Sequence, residues 1–118
     1  MKTDRELLEL AAKAAGIEYD VEASKPHPTS DAWFGLWLVI HGEPNEFTRR
    51  RWNPLTDDGD ALRLAVKLQI DIKQYGDHVV AWFDGGYIGT GRIHYDNDPC
   101  AATRSAIVRA AAEIGSQS

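Results

Sequence analysis

At 118 residues the chain has the length of one domain, expected over 1–118, that buries its own core without covalent staples. Thirteen Lys and Arg against eighteen Asp and Glu give a formal charge of −5, which works against general attraction to a nucleic-acid backbone. The single cysteine, Cys100, excludes an internal disulfide, no Cys/His spacing of the zinc type occurs, and no apolar run approaches the ~20 residues that span a bilayer. The expectation is a soluble protein of a reducing cytoplasm, without membrane attachment, metal or cofactor.

Thr3 with Glu6 three residues on forms a capping box, and Leu7, Leu8, Leu10, Ala11, Ala12, Ala14 and Ala15 follow at helical spacing until Gly16 stops the helix. The charged start, Met1 to Glu6, opens this helix and not a secretory signal. Loose alternation over Ile17 to Ala23 predicts a half-exposed strand. Pro26 and Pro28 make a loop of the segment Ser24 to Asp31. Trp33 to Ile40 is apolar on both alternating sets and predicts a central strand covered on both faces. Gly42-Glu43-Pro44-Asn45 turns the chain, and a short strand through Trp52 is expected before Asn53-Pro54 ends it.

Thr56 or Asp57 caps a second helix, with Asp57, Asp58 and Asp60 at the positive end of its dipole. Its buried stripe is Ala61, Leu64, Ala65 and Leu68, flanked by Leu62 and Val66. Ile70 and Ile72 start another strand. A hairpin follows from His78–Phe83 to Tyr87–Tyr95, turned by Asp84-Gly85-Gly86. Asp98-Pro99 opens the last helix, whose stripe runs through Ile107, Val108, Ala111 and Ile114 to a stop at Gly115. Three amphipathic helices need a sheet to cover, and the doubly apolar Trp33–Ile40 segment asks for helices on both of its faces. The expected fold is therefore α/β, a three-layer αβα sandwich with a mostly antiparallel sheet.

The run Trp52-Asn53-Pro54-Leu55-Thr56-Asp57-Asp58-Gly59-Asp60-Ala61-Leu62, continuing to Leu68, resembles the signature of the phage ABA sandwich domain family of small bacteriophage and prophage proteins. The segments Leu7–Ile17 and Ala102–Ile114 are similar to the family's other recurrent segments. The resemblance covers the three helices and implies a phage origin and an αβα fold; joined to the reducing cytoplasm expected above, it makes the expected location the host cytoplasm. It implies no reaction and supplies no catalytic residues.

Several residue groups invite a chemical reading. Asp57-Asp58-Gly59-Asp60 has the carboxylate density of half a calcium loop, but the terminal glutamate of such a loop is Gln69 here, and helix capping accounts for the cluster. Cys100 at a helix start with His94 nearby in sequence is the nearest approach to a Cys/His enzyme, a disfavoured alternative, because a strand-to-helix corner brings such residues near one another in any fold. His27, His41, His78 and His94 show no i, i+4 pairing on a helix. Gly85, Gly86, Gly89 and Gly91 lie within a hairpin and not between a strand and a helix, so they make no phosphate loop, although Gly89 and Gly91 leave a flat patch for a close contact.

Arg49, Arg50 and Arg51 beside Trp52 join bidentate guanidiniums to a stacking ring. With Trp33, Trp37 and Trp82 they form the expected contact set for a ligand or partner. Composition and the lack of a catalytic grouping favour a non-catalytic accessory protein that inhibits a host or anti-phage defence protein. The alternative is a protein that sequesters a nucleotide. A homodimer is expected in either case, because symmetric pairing is the commonest fate of spare apolar surface.

Overall fold

The computed structural model describes residues 2–25, 33, 35–39, 51–83 and 88–117, with Ile88 by its backbone alone. These residues form an α/β fold of three helices and two small antiparallel sheets. Helix α1 spans Asp4–Ala15. Thr3 Oγ1 accepts the Glu6 amide at 3.2 Å, and Gly16 closes the helix at φ 68°, so both expected ends are present.

The strand expected over Ile17–Ala23 is not formed. Tyr19 makes only an isolated bridge to Leu38. Immediately afterwards Asp20 folds the chain back, its side chain accepting the Ala23 amide at 3.0 Å and its carbonyl accepting the Ser24 amide at 3.0 Å. A local carboxylate has outcompeted extended pairing. Ser24 is consequently buried and ties down the next segment: its Oγ accepts the Trp37 amide at 2.9 Å and its carbonyl accepts Trp33 Nε1 at 2.8 Å.

Trp33–Ile40 is also not the central strand of the main sheet. Strand β1 is only Leu36–Trp37 and pairs with β2, Arg51–Trp52, in a separate two-stranded sheet with Leu36 opposite Trp52. Leu36 and Trp52 enter the core, whereas Val39 is exposed. The described part of the segment is held by the Ser24 turn, which takes the Trp33 indole and the Trp37 backbone amide, and sends Leu36 into the core. Gly35, at φ 113°, allows the close approach: a side chain there would lie 2.5 Å from the Trp52 carbonyl oxygen. Phe34, Ile40 and the turn at Gly42–Asn45 lie outside the described residues.

Helix α2 covers Asp58–Leu68, with Asp57 as its cap, accepting the Asp60 amide at 2.8 Å. Ala61, Leu64 and Ala65 are buried and Leu68 half-buried, as the stripe requires, while Leu62 and Val66 stand 63% and 71% exposed. Gln69 ends the helix at φ 56°.

The main sheet contains β3 (Asp71–Gln74), β4 (His78–Phe83), β5 (Ile88–Gly89) and β6 (Ile93–His94), with β4 in the middle. The second half of the expected hairpin is split. Between the Trp82–Gly89 and Val79–Ile93 pairs, β4 advances three residues and its partner four. The extra residue forms a bulge at Thr90–Arg92, where Gly91 takes φ 75° and Thr90 Oγ1 accepts the Ala81 amide at 3.3 Å. The turn at Asp84–Gly86 lies outside the described residues.

Helix α3, Pro99–Ser116, is capped by Asp98 and organises the core. It packs on β4 and β6, while α1 and α2 pack chiefly on α3. Its buried residues run almost around the helix and are mostly small, from Ala102 and Ala106 to Ala110, Ala111, Ala112 and Gly115. Gly115 does not stop the helix. It lies at the α1 crossing, where any side chain would overlap the Leu10 carbonyl, so the glycine marks a close approach of backbones.

Candidate functional site

The register of the main sheet sorts its side chains onto two faces. Ile72, Gln74, Val79, Ala81, Phe83 and Ile93 lie toward α3, and Val79, Ala81, Phe83 and Ile93 are buried there. The opposite face carries Asp71 and Lys73 from β3, His78, Val80 and Trp82 from β4, Gly89 from β5 and His94 from β6. Tyr75 joins them beyond the end of β3, its amide donating to the His78 carbonyl at 2.8 Å. No described helix makes more than slight contact with this outer face.

Its rings are held in place. Tyr75 and His78 stack with centroids 4.4 Å apart and planes 9° from parallel, and His94 stands 6.2 Å from His78. Lys73 Nζ lies 5.4 Å from the Tyr75 ring centroid. Tyr95 Oη donates to the Tyr75 carbonyl at 2.6 Å and fixes the backbone under the stack. Trp82 lies over Gly89, where a Cβ would come within 2.7 Å of the indole. The flat patch expected at Gly89 therefore receives the chain's own tryptophan, and the bulge turns Gly91 away from the same regular face.

His78 is hydrogen bonded through Nδ1 to Asp77 Oδ1 at 2.6 Å. An ionised carboxylate only accepts, so Nδ1 carries the hydrogen and Nε2 remains for another group. The same bond holds the Asp77 carboxyl below the usual aspartate range, with the charges of His78 and His94 adding to the effect. An oriented Asp-His pair is chemically suggestive, but its neighbours are rings and an ammonium. Among the described residues no group of three His, Cys, Asp or Glu is placed to hold a metal.

A concavity of about 270 Å³ lies between α2, β3 and the start of α3, lined by Leu62, Ile72, Cys100, Arg104 and Ile107 among others. Cys100 is exposed here, on the α3 side of the sheet, whereas His94 is on the outer face. The Cys/His pairing considered from the sequence is thus divided by the sheet. The carboxylates of the Asp57–Asp60 run are also engaged by the protein. Asp57 caps α2, Asp58 meets Arg104 Nη1 at 2.6 Å, and the buried Asp60 accepts the Asn53 amide at 3.0 Å and Arg63 Nη2 at 2.9 Å. Arg104 Nε also donates to the Leu55 carbonyl at 2.8 Å, which fastens the whole run to α3.

The expected contact residues separate into three places. Arg51 puts its guanidinium 4.6 Å from the Trp37 ring centroid, and Trp33 joins that corner through Ser24. Trp52 is buried in the core, and Trp82 belongs to the outer face of the main sheet. Arg49 and Arg50 lie outside the described residues. Sequence reasoning missed Lys73 and Tyr75 and noted of His78 and His94, beyond the Cys100 pairing, only that they form no helical pair. The available signal was Gly76-Asp77 between two alternating segments, the spacing of a tight hairpin.

No family model, curated protein or solved structure matches this chain.

Proposed function

We propose that the protein acts by binding and not by catalysis, as a small phage accessory protein of the ABA-sandwich type that covers the surface of a host or anti-phage defence protein in the host cytoplasm. The observation that carries this reading is the outer face of the main sheet. It presents ordered aromatic rings on rigid strands, opposite the face that α3 covers. Rigid rings supply contact area at little entropic cost, and a net charge of −5 steers approach to a basic partner surface. The helix segments that resemble the phage family support the assignment of origin.

A three-layer αβα arrangement sets a second helical layer over this same outer face. The burial of β4, complete toward α3 and partial on the other side, favours leaving that layer to a partner. A homodimer is part of the same reading.

The Arg51–Trp37 pair favours a second reading, in which a nucleotide base stacks at the two-stranded sheet and its phosphates meet a guanidinium. Calorimetry against a nucleotide panel decides it: heat of binding that Trp37→Ala abolishes supports sequestration, and flat traces remove it.

The principal test is affinity capture from bacterial lysate by the wild type, a Tyr75→Ala/Trp82→Ala variant and an Arg109→Ala control on exposed α3 surface. The reading expects a specific protein held by the wild type and control and released by the double variant. Capture of nothing specific, or capture that the double variant retains, refutes it.

A further inference from the structure

Among the described residues strand β3 is the edge of the main sheet, and all four of its residues are exposed. Its backbone polarity follows from the neighbouring bonds. The Tyr75 amide reaches the His78 carbonyl, and on the far side of β4 the Thr90 amide reaches the Ala81 carbonyl at 3.0 Å. Hydrogen-bonded pairs alternate along an antiparallel ladder. Asp71, Lys73 and Tyr75 therefore turn their backbone groups toward β4, and Ile72 and Gln74 turn theirs outward from the sheet.

We propose that this edge pairs with the same edge of a second copy, antiparallel and centred on Ile72 opposite Ile72, to make one continuous sheet across a twofold axis. Three features of β3 select this register. The outward amide and carbonyl of Ile72 make the central residues a hydrogen-bonded pair that exchanges both bonds, and each Gln74 amide reaches the other copy's Ile70 carbonyl. The Ile70 amide already serves Ala65 at 2.9 Å, so only the carbonyl of Ile70 is needed.

In this register Asp71 of each copy faces Lys73 of the other on the outer side of the sheet. These are non-hydrogen-bonded positions, where opposed side chains come closest. An exposed edge lysine discourages unrelated strands, and here it is matched by the chain's own aspartate.

On the α3 side, the two Ile72 side chains, each 37% exposed in the single chain, meet at the axis beside Leu62. The apolar groove of one copy runs on into the other. A one-residue slip places Ile72 against Lys73 and loses both the charge pairing and the apolar contact.

This inference deepens the self-association in the preceding section and rests on that part alone; the edge shares Asp71 and Lys73 with the outer face, whereas partner capture is tested there through Tyr75 and Trp82. Light scattering on the purified chain, with sedimentation equilibrium over a concentration series, tests it. The expected wild-type mass is twice 13.1 kDa. Asp71→Lys sets lysine against lysine twice and weakens the dimer by about tenfold or more, while Asp71→Lys/Lys73→Asp restores it. Ile72→Pro removes an amide that serves only the outer edge, so it gives a folded monomer. Circular dichroism melting checks the fold of each variant, and the charge swap decides the matter if proline disturbs it. A wild type of 13.1 kDa throughout, including one whose edge is taken only by another protein's strand, overturns the proposal. So does a dimer that Asp71→Lys leaves as tight as before. The wild-type mass and wild-type lysate capture are read separately, so a monomer that still captures a protein through Tyr75 and Trp82 overturns this inference and leaves the preceding reading standing.

Discussion

Replacing Gly115 with alanine sets two effects of opposite sign against each other. Glycine inside a helix is less favourable than alanine by roughly 0.5–1 kcal/mol, so on propensity alone Gly115→Ala stabilises α3. The new methyl would overlap the Leu10 carbonyl of α1, a backbone atom that cannot rotate aside. Relief requires α1 and α3 to part by about 1 Å, and such a gap forfeits a quarter to a half of the dispersion well for the contacts along it. The contact is extensive, since Leu8, Ala11, Ala12 and Ala15 of α1 are all buried and α1 packs chiefly on α3. Overpacking of this kind costs about 1–3 kcal/mol, so the steric effect wins and the net loss is about 1–2 kcal/mol. At about 4 °C per kcal/mol for a domain of this size, the melting temperature falls by about 4–8 °C. Thermal melts followed by circular dichroism, with urea titration, measure the change against Gly76→Ala. That control adds its methyl in open space at a glycine without positive φ and is expected to be neutral. A Gly115→Ala protein as stable as the wild type, or more so, refutes the close crossing of α1 and α3.

Asp60→Ala leaves the buried Asn53 amide without its acceptor and removes the Arg63 contact, at a cost of about 2–4 kcal/mol, read by urea denaturation; a loss below 1 kcal/mol contradicts the role given to that carboxylate. The carboxyl of Asp77 titrates below ordinary aspartates because His78 donates to it. A lowered folded pKa stabilises fully above the unfolded value, about 4, and is lost as pH falls through the folded one. NMR titration of Asp77 shows this directly, and an ordinary midpoint, or one unmoved by His78→Ala, removes the bond from the account.

All three helices were legible because each writes its own start, Thr3 before α1, Asp57 before α2 and Asp98-Pro99 before α3, and α1 also its end at Gly16. Such signals are local. The errors fell where contacts distant in sequence decide. Gly115 has the form of a stop, yet its meaning depends on Leu10. Trp33–Ile40 reads as a doubly covered strand because periodicity does not report which partner an apolar segment takes, here a two-stranded sheet tied to the turn that Asp20 and Ser24 build. The expected contact set held all four tryptophans, but only the register separates Trp82 on the outer face from Trp52 in the core. Tyr75 and Lys73 became meaningful only once Gly76-Asp77 had folded β3 onto β4.

The central claim, that the outer face of the main sheet is where a partner sits, is tested most directly by hydrogen exchange on the protein alone and in complex with the protein it captures. The account predicts new protection concentrated in the strands that carry Tyr75, His78, Trp82 and His94, with α1 unchanged. Protection confined to α1, or to the two-stranded sheet that carries Trp37 and Arg51, contradicts it.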